Sequence, residues 1–427
     1  MLNITIPNNN IAERKYILGI IFNEFLGLDY ELIIDNGELN IKDWIIKLND
    51  DKKFIIKDTF FSKFPKDLEY LKTENIPKSI KELDIFAACF FMLTRWEEYV
   101  NKARDSHDRF PATESLAFKQ GFLDRPIVNE YVEKLKQMLL ELDDSLNFKE
   151  HSFKQYISCD VDEPFDCTVE NIGNLVKVCV GDILKRKSLL LALKRVRRYI
   201  YNKLDNYKYD ENYTFEWYMD VCEKAGVKAS FYFIPDSSEK GNGCYSLEDT
   251  KIQNLLRYID NRGHEIGTHG SYQTYQDKEK TKAQKQKLEN LLKVLNISQT
   301  IKGNRQHYLR WDSAITPSVL DYAGFEYDST GGYADMVGFM YGVCYEFSMF
   351  DLLNRKKLKL KQRPLIVMEC SLIDDTYMGY GYTEKTLNTI NSLKEQCKKY
   401  NGNFTLLWHN NHFNSKDDKK LFKRVVV

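Results

Sequence analysis

Asp160 and Asp162 stand two residues apart in the stretch "YISCDVDEPFD" (156–166), at the end of an apolar run. On a β-strand that spacing puts both carboxylates on one face and Val161 on the other. Two such groups a few ångströms apart repel each other unless a cation or a shared proton lies between them. A divalent metal is the economical answer, and a pair of exposed acids in a turn or helix cap is the plain one. Glu163 and Pro164 read as the turn that follows. Three further strand-like runs also end in groups that can do chemistry. "RGHEIGTH" ends in His269, while His264, five residues upstream, faces the other way and reads as a structural histidine. "GNRQHYLRW" brings Arg305, His307 and Tyr308 to one strand end. "FTLLWHNNH" carries His409 just past its apolar part, whose plain reading is a core-edge histidine bonded to a carbonyl, and the polar residues after it read as a site rim. Each feature alone has a structural explanation. An acid pair, a histidine, an arginine cluster and a final histidine from four strands in that order are harder to explain so.

The elements that must position these groups follow from the texture of the chain. From residue 153 onward, seven short apolar runs ("QYISCDVD", "KASFYFIP", "HEIGTH", "QTIKGNRQHYLRW", "FEYDST", "PLIVMECSL", "NFTLLWHNNHF") alternate with helical stretches such as "TFEWYMDVCEKAG". That alternation implies a parallel sheet or a barrel, in which chemistry collects at the carboxyl ends of the strands. Residues 1–150 mix strand-like runs ("YELIID", "KFIIKDTFF") with apolar residues at helical spacing in "SIKELDIFAACFFMLTRWEEYV" and "PIVNEYVEKLKQMLLEL". The expected organisation is a smaller amino-terminal α+β domain (1–150) before a (β/α) barrel (151–427). A basic helical insertion interrupts the barrel at about 181–212. Its plain reading is a solvated excursion; its positive amphipathic character also suits docking on a membrane or an anionic polymer through 185–200.

With 43% apolar and 29% charged residues the chain is a packed globular protein. Its 62 basic and 62 acidic residues cancel, so no overall field argues for nucleic acid. No stretch has the composition of a signal peptide or a membrane-spanning helix, and the expected location is cytoplasmic. The nine cysteines contain no C-x-x-C pair and read as reduced.

The ordered motifs resemble those of the polysaccharide deacetylases, a carbohydrate esterase family that includes chitooligosaccharide and peptidoglycan deacetylases; the likeness covers about 153–413. "CDVD" looks like the family's paired-Asp motif, "GHEIGTHGSYQ" like its H-S/T-x-x-H, Arg305-Gln306-His307-Tyr308 like R-x-P-Y and Leu407-Trp408-His409 like L-x-H. The resemblance implies a deformed barrel of about seven strands. It also implies a divalent metal, most often zinc with cobalt, manganese or nickel as alternatives, held by Asp162 and His269. Asp160 would be the base, Arg305 its orienting cation, His409 the acid, and the backbone near Tyr308 part of an oxyanion site. The second metal-binding histidine would fall at 273, where this chain has Gln. His307, standing where the family has Pro, could replace it; Tyr272 or Thr274 could approach instead, or the site could bind metal weakly or not at all. Tyr272, Trp311 and Arg109 are the substrate-binding candidates, although Arg109 and its neighbour Glu114 also read as solvated loop residues. "DIFAACFFMLTRWEEY" and "DRFPATESLAFKQGFLDRPIVNEY" resemble a bacterial subgroup with an extra amino-terminal domain, associated with surface-polysaccharide gene clusters, whose members also lack the second histidine.

The expectation is therefore a metal-dependent hydrolase that removes an N-acetyl group from an N-acetylated sugar of a bacterial glycan or its precursor. Two alternatives stay open: a non-catalytic glycan-binding or assembly protein on the same barrel, and another C–N hydrolase acting on a small amide.

Overall fold

The structure, a computed structural model, describes residues 2–37, 41–49, 51–238, 241–413 and 415–427. Two sheets organise it. The first contains β1 (Leu2–Ile6), β2 (Tyr30–Ile34), β3 (Trp44–Lys47) and β4 (Lys53–Ile56) in the order β2-β1-β3-β4. Beside it helix Ile85–Thr94 packs against helices Ile11–Leu18 and Ile127–Leu142. The single long helix expected over 79–100 is instead broken at Arg95, which takes a left-handed φ of 55° between Ile85–Thr94 and Trp96–Val100. The break has a cause. It directs the buried guanidinium to donate to the Tyr333 hydroxyl (2.7 Å) and the Met340 carbonyl (3.0 Å), with Glu98 3.4 Å away.

The second sheet carries nine strands: β5 (Lys154–Val161), β6 (Ser230–Phe233), β7 (Glu265–Gly270), β8 (Gly303–Gln306), β9 (Tyr327–Asp328), β10 (Phe347–Asp351), β11 (Lys356–Gln362), β12 (Val367–Met368) and β13 (Asn403–Leu407). Their spatial order is β10-β11-β9-β8-β7-β6-β5-β13-β12. Every pairing is parallel except β10 with β11. Setting β10 aside, the strands follow chain order around the sheet, with one unpaired seam between β11 and β12. That is the winding of a (β/α) barrel left open at one side, so the fold is a deformed (β/α) barrel. All seven apolar runs read from the sequence became parallel strands. The eighth, β11, has the sequence "KKLKLKQ", alternating exposed lysines with buried residues, and its lysines hid it among the polar segments.

The barrel interior is shaped by one missing side chain. A Cβ on Gly267 would lie 2.4 Å from the Tyr232 ring, so glycine leaves room for Tyr232 to fill the interior, where its hydroxyl bonds that of Tyr327 (3.0 Å) and its ring lies 5.3 Å from the Arg305 guanidinium. One hydrophobic core runs through both sheets: Tyr16 and Phe90 of the first region contact the Phe350 ring of β10 at 4.6 and 5.8 Å.

Two helices, Ile172–Leu184 and Leu189–Lys203, form a hairpin inserted between β5 and β6. It begins about ten residues earlier than the basic composition suggested, because its first helix is apolar rather than basic. Cys167 at its root and Cys244 form a disulfide across 77 residues. This corrects the reading of all nine cysteines as reduced, since the pair meets only through the fold; the other seven are free.

Candidate active site

Every barrel residue singled out for chemistry lies at or just beyond the carboxyl end of a strand, Trp311 furthest out. Asp160 is in the last turn of pleat of β5 and Asp162 just past it; His269 is in β7, Arg305 in β8 and His307 immediately after it, and His409 two residues after β13. The register sets His269 directly beside Arg305 and Ser158 beside Leu407, which brings four non-adjacent segments to one rim. Asp160, Asp162, His269, His307 and His409 line a cavity of about 230 Å³ together with Arg109, Tyr308 and Tyr377.

Its centre is Asp162. Oδ1 of Asp162 lies 3.3 Å from Nε2 of His269 and 3.5 Å from Nε2 of His307. These three donors form a compact group in which each offers one ligand atom. Neighbouring ligands of one tetrahedral cation, bound at about 2.0–2.1 Å, stand about 3.3 Å apart, so the spacing and the carboxylate–imidazole–imidazole chemistry fit a divalent metal. The buried Asp162 Oδ1 and Asp160 Oδ1 also have no hydrogen-bond partner among the described residues, a costly state unless a cation or water fills it. The other ring nitrogens are held: Nδ1 of His269 by the Arg305 carbonyl (2.9 Å), which makes it the N–H donor and leaves Nε2 as the ligand atom, and Nδ1 of His307 by Asn242 Oδ1 (3.5 Å).

These groups also act on each other's charge. Burial would raise the Asp162 carboxyl, but His307 and then His269 hold it well below the ordinary Asp value. Burial would lower the His269 imidazole, and Asp160 and Asp162 raise it above 6.5. A metal must displace that proton. Its affinity, measured by equilibrium dialysis, should therefore fall as pH drops through the raised His269 value.

Asp160 is buried, 3.7 Å from His269 Nε2 and 3.9 Å from Arg305 Nε. Arg305 is itself fixed, donating from Nη2 to the Ser158 and Ser329 hydroxyls at 2.9 and 3.2 Å. On the opposite wall, His409 Nε2 faces Asp162 Oδ2 at 3.8 Å and Nδ1 is 2.6 Å from Glu369 Oε1, which also accepts the His409 backbone N–H at 2.8 Å. Burial alone would lower the His409 imidazole; Glu369, with Cys370 acting the same way, holds it well above the ordinary value. Burial would raise Glu369, and His409 and His412 keep it far below the usual Glu range instead. Tyr308 and Leu309, with φ of 61° and 55°, are consecutive left-handed residues, a conformation costing roughly 1–2 kcal/mol each outside glycine; they turn the chain so that Tyr308 reaches the cavity after His307.

Several expectations change. Gln273 is exposed and takes no part in the cavity. Thr274 is buried on Ser271 and Gln306, and the Tyr272 hydroxyl bonds His107 (3.3 Å), so neither approaches as a ligand. Tyr272 stands behind the cavity wall, its ring edge-on to Tyr308 at 5.4 Å. Trp311, read as a substrate contact, is a core residue with 4% of its surface exposed, so it has no face to offer a sugar. Arg109 is no solvated loop residue: Asp105 (2.7 Å), the Tyr308 carbonyl (3.1 Å) and the Tyr377 hydroxyl (3.3 Å) clamp it on the cavity wall. Glu114 pairs with Lys119 away from the cavity (2.9 Å). His264 bonds Glu223 (3.1 Å) and the Ala229 N–H (2.9 Å), a structural histidine.

Glu369 and Cys370 have no place in the reading of the sequence, and His412 only that of a rim residue; with His409 these three bring four donor atoms together. Glu369 stands at the end of the run "PLIVME" just as Asp160 ends its own, and that shared position was the available signal. Asn242, on a loop between β6 and β7, left none.

Residues 2–144 match a family of unknown function, DUF7033. No curated protein matches the chain. Among solved structures it is similar to a putative polysaccharide deacetylase from Mycobacterium smegmatis (15% identity, TM-score 0.40, covering 65% of this chain and 84% of that one). Similar too are a probable polysaccharide deacetylase from Pseudomonas aeruginosa PAO1 (12%, 0.39, 65% and 84%) and PuuE allantoinase (12%, 0.38, 65% and 83%).

Proposed function

We propose that this chain is a divalent-metal-dependent C–N hydrolase that removes the acetyl group from an N-acetylated sugar of a bacterial glycan or its precursor. The observation that carries the reading is the pairing of an open three-donor group, Asp162, His269 and His307, with a buried carboxylate whose Oδ1 accepts no hydrogen bond among the described residues, Asp160, on one side and a carboxylate-held histidine, His409, on the other. When bound, the cation, zinc by preference, supplies Lewis acidity toward a water and an amide carbonyl. The remaining steps belong to the chain. Asp160, steadied by the Arg305 charge that faces its Oδ1, accepts the proton of the attacking water at Oδ2, the oxygen turned towards His269. His409, protonated at neutral pH because Glu369 faces it, donates from Nε2 to the departing amine nitrogen. Arg109 and Tyr377 supply fixed donors on the wall where a sugar ring would sit. The products are an amino sugar and acetate.

Acetate release from free, oligomeric and nucleotide-linked N-acetylhexosamines tests this, with and without chelator. Release that depends on added metal is expected. Sugar binding without release by any metallated sample would favour the glycan-binding alternative. The cavity volume keeps a second reading in view: about 230 Å³ is smaller than the pockets that take drug-sized ligands, roughly 300–1,000 Å³, and suits another small amide as well as one sugar residue.

Glu369 acts through His409. With the His409 imidazole raised, the acid is present at neutral pH and is lost as pH climbs through that raised value, so activity should fall on the alkaline side. Glu369→Gln removes the charge that raises it. The alkaline limb should shift to lower pH and kcat should drop roughly 10- to 100-fold, with KM changing less; a pH–rate profile reads both.

A further inference from the structure

We infer that the helical hairpin 172–203 docks the protein on an anionic membrane surface, and so presents the cavity to a substrate whose glycan headgroup is anchored in that membrane. Of the 22 exposed large apolar side chains among the described residues, 12 fall between 172 and 204. They are ordered. Ile172, Val176, Val180 and Leu184 recur every four residues along the first helix, and Leu189, Leu193, Ile200 and Leu204 hold one stripe of the second; Leu184 and Leu204 are 72% and 71% exposed. A contiguous apolar face of this kind on a folded chain marks an interaction surface.

Charge chooses the occupant. Residues 172–204 hold nine Lys and Arg against one acid, Asp182. Asp182 is occupied by Arg186 and Arg195, and Arg198 by Asp166, while Lys177, Lys185, Lys187 and Lys194 stand exposed around the stripes. A second copy would bring two such positive faces together and be repelled. A bilayer with anionic headgroups satisfies both features, since the stripe enters the interface and the lysines meet the lipid charge. Among the described residues no helix is long and apolar enough to cross a membrane, so the contact is peripheral.

The hairpin springs from the rim of the active site. Asn410, next to His409, donates to the carbonyls of Glu163 (2.9 Å) and Asn212 (2.8 Å) on the two root segments, and Glu163 follows Asp162. A hairpin seated on the bilayer therefore holds the strand ends close to the headgroups. The substrate clause rests on the hydrolase reading; the docking itself does not.

The test is co-sedimentation of the full chain with large unilamellar vesicles, equimolar phosphatidylglycerol and phosphatidylcholine against phosphatidylcholine alone. The wild type should bind the anionic vesicles and weaken as salt is raised. Leu184→Asp/Leu190→Asp/Leu193→Asp should lower the partition coefficient about tenfold or more, while Val294→Asp, at an exposed apolar site elsewhere (75% exposed), should not. Equal binding by the triple variant, or no binding by the wild type, overturns the proposal. So does sedimentation velocity showing a wild-type dimer that the triple variant dissolves, which would make the face a contact between copies. None of these readouts involves acetate release, so a failure of the hydrolase reading leaves them standing.

Discussion

Asp160→Asn should lower kcat on an N-acetylated sugar by roughly 100- to 10,000-fold while the protein keeps its fold and its metal. The substitution changes one oxygen to an amide nitrogen in a buried position whose Oδ1 has no hydrogen-bond partner, so the shape is preserved while the negative charge and the capacity to take a proton are lost. Asp160 lies 3.7 Å from His269 Nε2, near the three-donor group without belonging to it. Metal content by elemental analysis and thermal stability should therefore stay close to wild type. A variant that retained full acetate release would remove Asp160 as the base.

Asp162→Ala should have a different signature, in which metal and activity are lost together. Asp162 is the one anionic donor of its group and the one both imidazoles face. Its removal takes away a ligand and the charge that draws a cation to two neutral rings. Metal affinity should drop by more than the roughly 10- to 100-fold that loss of an outer hydrogen-bond partner costs, and kcat/KM should fall to background. His307→Ala should weaken metal in the same sense, whereas Gln273→Ala, exposed and outside the cavity, should not. The contrast between Asp160→Asn, inactive with metal, and Asp162→Ala, inactive without it, separates the proton-transfer role from the binding role.

The barrel was legible because seven apolar runs alternate with helices, and the site because four of those runs end in groups that can do chemistry; both follow from local pattern. What escaped needed distance. His307 was one of the substitutes left open for the histidine missing at 273; that it, rather than Tyr272 or Thr274, comes within 3.5 Å of Asp162 depends on β8 lying next to β7, which periodicity does not encode. Glu369 escaped although its position matched that of Asp160, because an acid after an apolar run gains meaning only when the strand beside it, β13, delivers His409. Trp311 failed in the opposite direction: beside a strand end it reads as a sugar platform, yet packing buries it in the core.

The most direct measurement is the position of the bound cation. Anomalous difference density from zinc-loaded crystals should show a peak between Asp162, His269 and His307, within about 2.0–2.2 Å of one carboxylate oxygen and two Nε2 atoms. A peak held instead by Glu369, Cys370, His409 and His412, with nothing between Asp162 and the two histidines, would contradict the account.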